Sequence, residues 1–157
     1  MNKKIYMCLI LKIIVVAIFS VVCFADSNKY VFLKSEKPNA ENEIVVHFSI
    51  HDLEEGILGL QGTLNYDHEN LELVDIKIND DNWIISAFNK DNGKFIAEIG
   101  DEGFFNTDMH IKDKDNFIDF KFKDLKKSNN YKLELTDIKF GNMQETIEVE
   151  PIQIKIK

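Results

Sequence analysis

Residues 57–78, ILGLQGTLNYDHENLELVDIKI, carry the pattern that decides the fold of this chain. Residues 58–65 and 71–78 each read as a β-strand, and the polar segment 66–70 reads as a turn between them. On the first strand apolar side chains recur at every second position, as expected for a sheet that buries one face. The other face carries small or polar groups, namely Gly59, Gln61, Thr63 and Asn65. Asp67 can accept hydrogen bonds from backbone amides and fix the turn.

The same alternation recurs along the rest of the chain. Residues 44–51 and 117–123 each place apolar side chains at every second position. Asn92-Gly93 is a strong signal for a hairpin turn between two further strands. Pro151 interrupts the last predicted strand, residues 146–157, and shifts its apolar phase. We count about nine strands and no convincing helix, which predicts an all-β fold, a single jelly-roll β-sandwich.

The first 25 residues have the layout of a secretory signal peptide. A basic start precedes an apolar run at residues 13–22, and Cys23 and Ala25 are the small residues of a cleavage site. Lys12 leaves the apolar run shorter than the roughly 20 residues that a membrane-spanning helix needs. We therefore predict a signal peptide at residues 1–25, cleavage after Ala25, and one mature domain at residues 26–157.

Composition narrows the classes of partner. Both cysteines, Cys8 and Cys23, lie in the predicted signal peptide, so the mature chain has no thiol for a disulfide or a metal. Cleavage also removes three of the 19 lysines and none of the 27 acids, which leaves a net charge of −11. The chain contains no arginine. An acidic surface without arginine argues against binding to nucleic acid or to anionic membranes.

No catalytic motif is present, and no cofactor or metal site is predicted. His47 and His51 share a strand face, but four residues along a strand span about 13 Å, too far for one metal ion. We interpret the histidines as solvated. Asp101, Glu102 and Asp108 could hold calcium through oxygen ligands, but they lack the spacing of a calcium loop. No nucleophile elbow occurs, and nothing selects one pair of carboxylates for glycoside hydrolysis.

Sugar binding usually requires exposed flat aromatic side chains. The chain has one tryptophan, Trp83, and most of its phenylalanines fall at inward positions of the predicted strands. A planar aromatic strip is not visible in the sequence. Binding of a single soluble polysaccharide chain by Trp83, Tyr66 or Tyr131 remains an alternative.

Residues 56–73 resemble the cohesin domain family. They carry the pattern Gly-Ile-x-Gly-x-Gln-x-x-Leu-x-Tyr-Asp-x-x-x-Leu, of which the Tyr-Asp pair is moderately specific. Predicted strand order and loop lengths agree with the family over residues 30–157. Asn92-Gly93-Lys94-Phe95-Ile96 matches the mid-chain hairpin of the family, and residues 116–122 match its next core strand.

The resemblance implies a nine-stranded jelly-roll sandwich that acts as a receptor and not as an enzyme. Cohesins bind dockerin modules of secreted polysaccharide-degrading enzymes. Their binding face uses the strand before Tyr-Asp, with Asn and Asp at the positions that are Gly59 and Gln61 here. Further along the chain an apolar residue and an acid belong to the same face, and Ile99 and Glu102 fit those places. The implied partner-binding face therefore contains Gly59, Gln61, Ile99 and Glu102.

The sequence thus predicts a secreted or cell-surface, non-catalytic, cohesin-like module that binds a dockerin-like protein partner in extracellular polysaccharide degradation or enzyme assembly. The first alternative is a carbohydrate-binding module of the same architecture, with Trp83 as a possible sugar contact. The second alternative is a structural or adhesive surface protein. Exposed aromatic side chains on one face would favour sugar, and a flat face without aromatic side chains would favour a protein partner.

Overall fold

The computed structural model describes residues 29–103, 105–127 and 130–156, without the side chain of Glu102. The predicted signal peptide lies outside these ranges. The described residues form ten β-strands. They are β1 (Val31–Ser35), β2 (Glu43–Ile50), β3 (Gly59–Tyr66), β4 (Leu71–Ile78), β5 (Trp83–Asn89), β6 (Lys94–Ile99), β7 (Lys114–Asp124), β8 (Tyr131–Gly141), β9 (Thr146–Val149) and β10 (Ile152–Ile156).

The strands form two antiparallel sheets that share one apolar core. The four-stranded sheet has the order β1-β2-β7-β4. The six-stranded sheet has the order β10-β8-β3-β6-β5, and β9 also pairs with β8. The predicted all-β sandwich is therefore confirmed.

Alternation along the strands builds the core. On β2 the side chains of Ile44, Val46, Phe48 and Ile50 are fully buried, as the sequence predicts. On β3 Leu60 and Leu64 are buried in the same way, and Leu58, directly before the strand, is also buried. Each sheet turns its apolar face inward, and the hydrophobic effect holds the two faces together.

The prediction of nine strands is wrong by one, because Pro151 divides the last segment. β9 pairs with residues 138–141 of β8, and β10 pairs with residues 131–135 of the same strand. Both segments therefore run along one edge of β8. Proline has no N–H to donate to the ladder, which explains the break between them.

Residues 100–113 contain the helical structure of the described ranges, two 3₁₀ turns at Asp101–Gly103 and Thr107–Met109. In those ranges, no helix is long and apolar enough to cross a membrane. β7 begins at Lys114, earlier than the predicted start at residue 117. The extra length contains a bulge in which Asn116 adopts a φ of 49° and donates its N–H to Ser49 Oγ at 3.0 Å.

The β5–β6 hairpin needs glycine at its turn. Gly93 has a φ of 69°, and a Cβ at this position would lie 2.1 Å from the carbonyl oxygen of Leu64. The Leu64 N–H donates to the carbonyl oxygen of Gly93 at 2.9 Å. The Asn-Gly signal in the sequence therefore corresponds to a hairpin turn that is hydrogen-bonded to β3.

Aromatic side chains of β7 connect the two sheets. The rings of Trp83 and Phe117 meet edge to face with centroids 5.1 Å apart. Phe95 and Phe120 do the same at 5.5 Å. Tyr66 and Phe122 form a third such pair at 5.1 Å. These pairs join β7 in one sheet to β5, β6 and β3 in the other.

We predict that Phe120→Ala lowers the free energy of unfolding by about 3–5 kcal/mol, since it removes a fully buried ring and its contact with Phe95. Urea unfolding followed by circular dichroism measures the loss. Phe32→Ala is the control, because 46% of the Phe32 side chain is exposed on β1, and it should cost less than about 1 kcal/mol. Equal losses in the two variants would contradict this account of the core.

Candidate functional site

The outer face of the six-stranded sheet is the candidate site. β3 lies in the interior of this sheet, between β8 and β6. Because its leucines point inward, Gly59, Gln61, Thr63 and Asn65 point outward. The registers of β6 and β8 against β3 then determine which side chains lie beside these four residues.

One transverse row crosses the face at Gly59. Gly59 pairs with Glu98 on β6 and with Gly141 on β8. Glu98 pairs in turn with Ile84 on β5, and Gly141 pairs with Thr146 on β9. We call the set Ile84, Glu98, Gly59, Gly141 and Thr146 the glycine row.

A second row crosses at Gln61, two residues further along β3. Gln61 pairs with Ile96 on β6 and with Lys139 on β8. Ile96 pairs with Ala87 on β5, and Lys139 pairs with Glu148 on β9. We call the set Ala87, Ile96, Gln61, Lys139 and Glu148 the glutamine row.

Apolar side chains on this face are exposed to solvent. Ile84 is 53% exposed and Ile96 is 42% exposed. Met143, in the turn between β8 and β9, is 59% exposed and lies close to Gly59 and Gly141. Asn142 Oδ1 holds this turn by accepting the N–H groups of residues 144 and 145, both at 2.8 Å. A fixed turn that exposes a methionine, beside two exposed isoleucines, forms a surface suited to a protein partner.

The charged groups of the rows differ in their pairing. Lys139 Nζ donates to Glu148 Oε1 at 2.6 Å, and this bond raises the pKa of the lysine. The side chain of Glu98 makes no ion pair or hydrogen bond within the described residues. An exposed carboxylate beside exposed apolar side chains is available to a cation of a partner.

The predicted sugar contacts are not on this face. Trp83 is 4% exposed, and its ring packs against Phe117 in the core. Tyr131 is 3% exposed, and Tyr66 is half-buried between His68 and Phe122. The two rows contain no aromatic side chain. The structure therefore leaves Trp83 without an exposed ring face for a sugar.

The predicted partner-binding residues are only partly together. Gly59 and Gln61 lie on the outer face, in adjacent rows. Ile99 points inward and is 8% exposed, because it follows the inward positions Phe95 and Ala97 on β6. The side chain of Glu102 lies outside the described residues. Whether any of these residues contacts a partner stays a prediction.

Ile96 and Glu98 were not among the residues predicted for the face, although the sequence contains a signal for them. On β6 the inward positions are Phe95, Ala97 and Ile99, so period-two alternation alone turns the intervening residues outward. The family resemblance had placed Ile99 on the face instead. Ile84 and Lys139 were missed because only the strand pairing brings Ile84 beside Glu98 and Lys139 beside Gln61.

Two histidines on the outer face of the other sheet are bonded to carboxylates and are not simply solvated. His47 Nδ1 lies 2.6 Å from Asp119 Oδ1, and His47 Nε2 lies 3.2 Å from Glu36 Oε1. His51 lies between Asp113 and Asp115, at 2.6 and 3.3 Å. Each of the two imidazole rings therefore has a carboxylate oxygen close to both of its nitrogens.

The loop that contains Asp101 and Asp108 does not form a calcium site within the described residues. Asp101 and Asp108 are both exposed, and Asp108 belongs to the second 3₁₀ turn. Within the described ranges, no three groups among His, Cys, Asp and Glu are positioned to hold one metal ion.

No protein-family model and no curated protein sequence matches this chain significantly. Solved structures do match. The cohesin module of a family 33 glycoside hydrolase from Clostridium perfringens has a TM-score of 0.68 at 16% identity, covering 82% of this chain and 94% of that module. A type II cohesin module from the ScaA scaffoldin of Acetivibrio cellulolyticus has a TM-score of 0.59 at 13% identity, covering 76% and 88%.

A third match is the Clostridium thermocellum OlpC cohesin, whose structure is a type I cohesin–dockerin complex. Its TM-score is 0.56 at 13% identity, and the match covers 85% of this chain and 99% of that one. At these identities the matches show the fold. The chain has a cohesin-like fold, as the Tyr-Asp pattern predicted.

We predict that His47 makes stability fall with rising pH. Burial lowers the pKa of His47, but its hydrogen bonds to Asp119 and Glu36 outweigh burial and raise the pKa above its usual value. The stabilisation is complete below the unfolded pKa of about 6.5 and is lost as pH rises through the folded pKa. Urea unfolding from pH 5 to 9 should show this loss above about pH 6.5. His47→Gln should flatten that part of the profile, and an identical slope in both proteins would contradict the assignment.

Proposed function

We propose that this chain is a non-catalytic recognition module that binds a dockerin-like protein module through the glycine and glutamine rows. The observation that carries the proposal is an outer sheet face with exposed Ile84 and Ile96 and no aromatic ring in its rows. Such a face suits a protein partner better than a polysaccharide, which would be bound by stacking on flat rings.

The comparisons support the class of partner. The OlpC cohesin and the sixth cohesin of scaffoldin B from Acetivibrio cellulolyticus are both in complexes with dockerins. Both rows cross β3, the strand that leads into the Tyr-Asp pair and that the resemblance assigns to the binding face. Gly59 and Gln61 stand where that family often has Asn and Asp. We therefore propose that the partner of this chain makes contacts at these two positions that differ from those made to Asn and Asp. Assembly of enzymes that degrade polysaccharides outside the cell is the role that we propose for this contact.

The partner can be identified by affinity capture. The protein is immobilised and exposed to the secreted proteins of the organism that produces it, with and without EDTA, and retained proteins are identified by mass spectrometry. We expect a retained protein that carries a small repeated calcium-binding module, and we expect EDTA to release it. Retention of no such protein under either condition would contradict the proposal.

Variants then test the face. Ile96→Asp replaces the exposed isoleucine of the glutamine row with a charge, and should weaken binding of the captured partner at least about tenfold. Gln61→Ala should weaken it less, because it removes one amide at the centre of that row. Lys123→Ala, on the outer face of the four-stranded sheet, is the matched control and should leave the Kd unchanged. Calorimetry measures all three, and full affinity in Ile96→Asp would place the contact elsewhere.

We also propose that the protein is exported and cleaved after Ala25. The basic start, the apolar run and the small residues before position 26 support this step. Intact-mass analysis of the protein from the culture medium or the cell surface should give a chain that begins at Asp26. A chain that retains residues 1–25 would contradict cleavage.

A further inference from the structure

An apolar slot opens along one side of the sandwich, between the two sheets. β4 is an edge strand of the four-stranded sheet, and β5 is an edge strand of the six-stranded sheet. These two strands form the walls of the slot, which has a volume of about 180 Å³. Five of the seven residues that line it are apolar, and the other two are Asp75 on β4 and Lys90, directly after β5. None of the seven belongs to the glycine row or the glutamine row.

The apolar side chains of the slot are accessible from outside the protein. Val74 is 45% exposed, and Ile76, Ile85 and Phe88 are half-buried. Single exposed apolar side chains are common on protein surfaces, whereas a group of them in one place commonly marks a contact with another molecule.

Both walls of the slot carry a β-bulge. In the pairing of β4 with β7 the register shifts at Val74, and in the pairing of β5 with β6 it shifts at Ser86. A bulge on an edge strand bends and twists the strand, so that it is a poor template for the addition of another strand. A partner at the slot therefore makes contact through side chains and does not extend either sheet.

The two charged groups of the slot lie on different walls. The side chains of Asp75 and Lys90 make no ion pair or hydrogen bond within the part of the chain that the structure describes. A two-fold axis through the slot places the β4 wall of each copy against the β5 wall of the other. Each Asp75 carboxylate then faces the Lys90 ammonium group of the other copy, which is the self-complementarity that a symmetric dimer contact requires.

The charge of the whole chain supports the slot as the place where two copies meet. Without the predicted signal peptide the chain has a net charge of −11, so two copies repel each other over most of their surfaces. The slot carries one negative and one positive group beside apolar side chains, and it is therefore neutral. Two copies can approach there without the repulsion that acts elsewhere.

We propose that two copies of this chain associate through the slot as a symmetric dimer. Val74 of each copy packs against Phe88 of the other, and Asp75 of each copy pairs with Lys90 of the other. Because the slot is small, we expect an interface of less than about 1,200 Å² and a dissociation constant of about 10 µM to 1 mM.

The dimer would carry two recognition faces. β5 belongs to the sheet that bears the glycine and glutamine rows, and each copy contributes one such sheet. Two linked faces can hold two partner modules, or hold a partner with two modules more tightly than one face can. This consequence rests on the proposed function, whereas the dimer itself does not.

Sedimentation equilibrium of the purified protein between about 10 µM and 1 mM tests the dimer. Asp75→Lys and Lys90→Asp each place like charges opposite one another, and each should weaken self-association at least about tenfold. Lys155→Asp is the matched control, because it makes the same change of charge at an exposed position on β10, the far edge of the same sheet. It should change the dissociation constant by less than about twofold. A protein that stays monomeric throughout, or a dimer that neither slot variant weakens, would overturn the proposal.

A mixture of the two slot variants tests the symmetry of the contact. One chain then carries lysine at positions 75 and 90, and the other carries aspartate at both. In the symmetric arrangement every lysine of one chain faces an aspartate of the other, so the mixture should form a heterodimer at least as tight as the parent dimer. Both positions are exposed, and melting temperatures close to that of the parent protein would show that the variants fold. Failure of the mixture to associate would overturn the proposal.

The dimer and the proposed function fail separately. If both slot variants are monomeric, remain unassociated when mixed and still capture a dockerin-like partner, the proposed function stands and the dimer is wrong. If the mixture associates but affinity capture yields no dockerin-like partner, the dimer stands and the proposed function is wrong.

Discussion

Edge-to-face ring contacts on β7 are the interaction on which the rest of this structure depends. Phe117, Phe120 and Phe122 each meet an aromatic ring of the opposite sheet. The three rings that they contact belong to β3, β5 and β6. A single strand of the four-stranded sheet, β7, therefore positions three strands of the six-stranded sheet. A buried aromatic pair stabilises the folded state through the apolar area that it removes from water and through the favourable edge-to-face arrangement of its rings. With these rings inward, the phase of each strand is set, and every second residue must face solvent.

The candidate site follows from that phase. Gly59 and Gln61 face outward because Leu60 and Leu64 must face inward. The two outer faces then differ in a way that bears on function. On the four-stranded sheet, side chains satisfy one another, as in the ion pair of Lys121 with Glu43 and the carboxylate contacts of His47. The four-stranded sheet also exposes Phe32 and Val74, but they lie on its two edge strands, β1 and β4. The six-stranded sheet exposes Ile84 and Ile96 on adjacent strands beside Glu98, whose side chain lacks a partner among the described residues. This contrast is why we assign recognition to the larger sheet.

Prediction of individual site residues from the sequence had mixed results, for identifiable reasons. The phase of β3 was correct, because its alternation is long and uninterrupted. Ile99 was assigned outward from family correspondence, although the inward positions Phe95 and Ala97 on the same strand indicate that it is buried. Trp83 was named as a possible sugar contact from its residue type, but it is a core residue that packs on Phe117. Residue type indicates what a side chain can bind, and strand phase decides whether a ligand can reach it.

By itself, the sequence determined the fold class, most strand positions, the buried set of β2 and β3, and the change of apolar phase at Pro151. These features follow from local alternation and turn chemistry, which act over a few residues. Only the tertiary structure decided which strands are neighbours. The glycine row joins positions from 59 to 146, and its five members come together through four separate strand pairings. Registers between distant strands depend on how the whole core packs, and no local pattern in the chain encodes them.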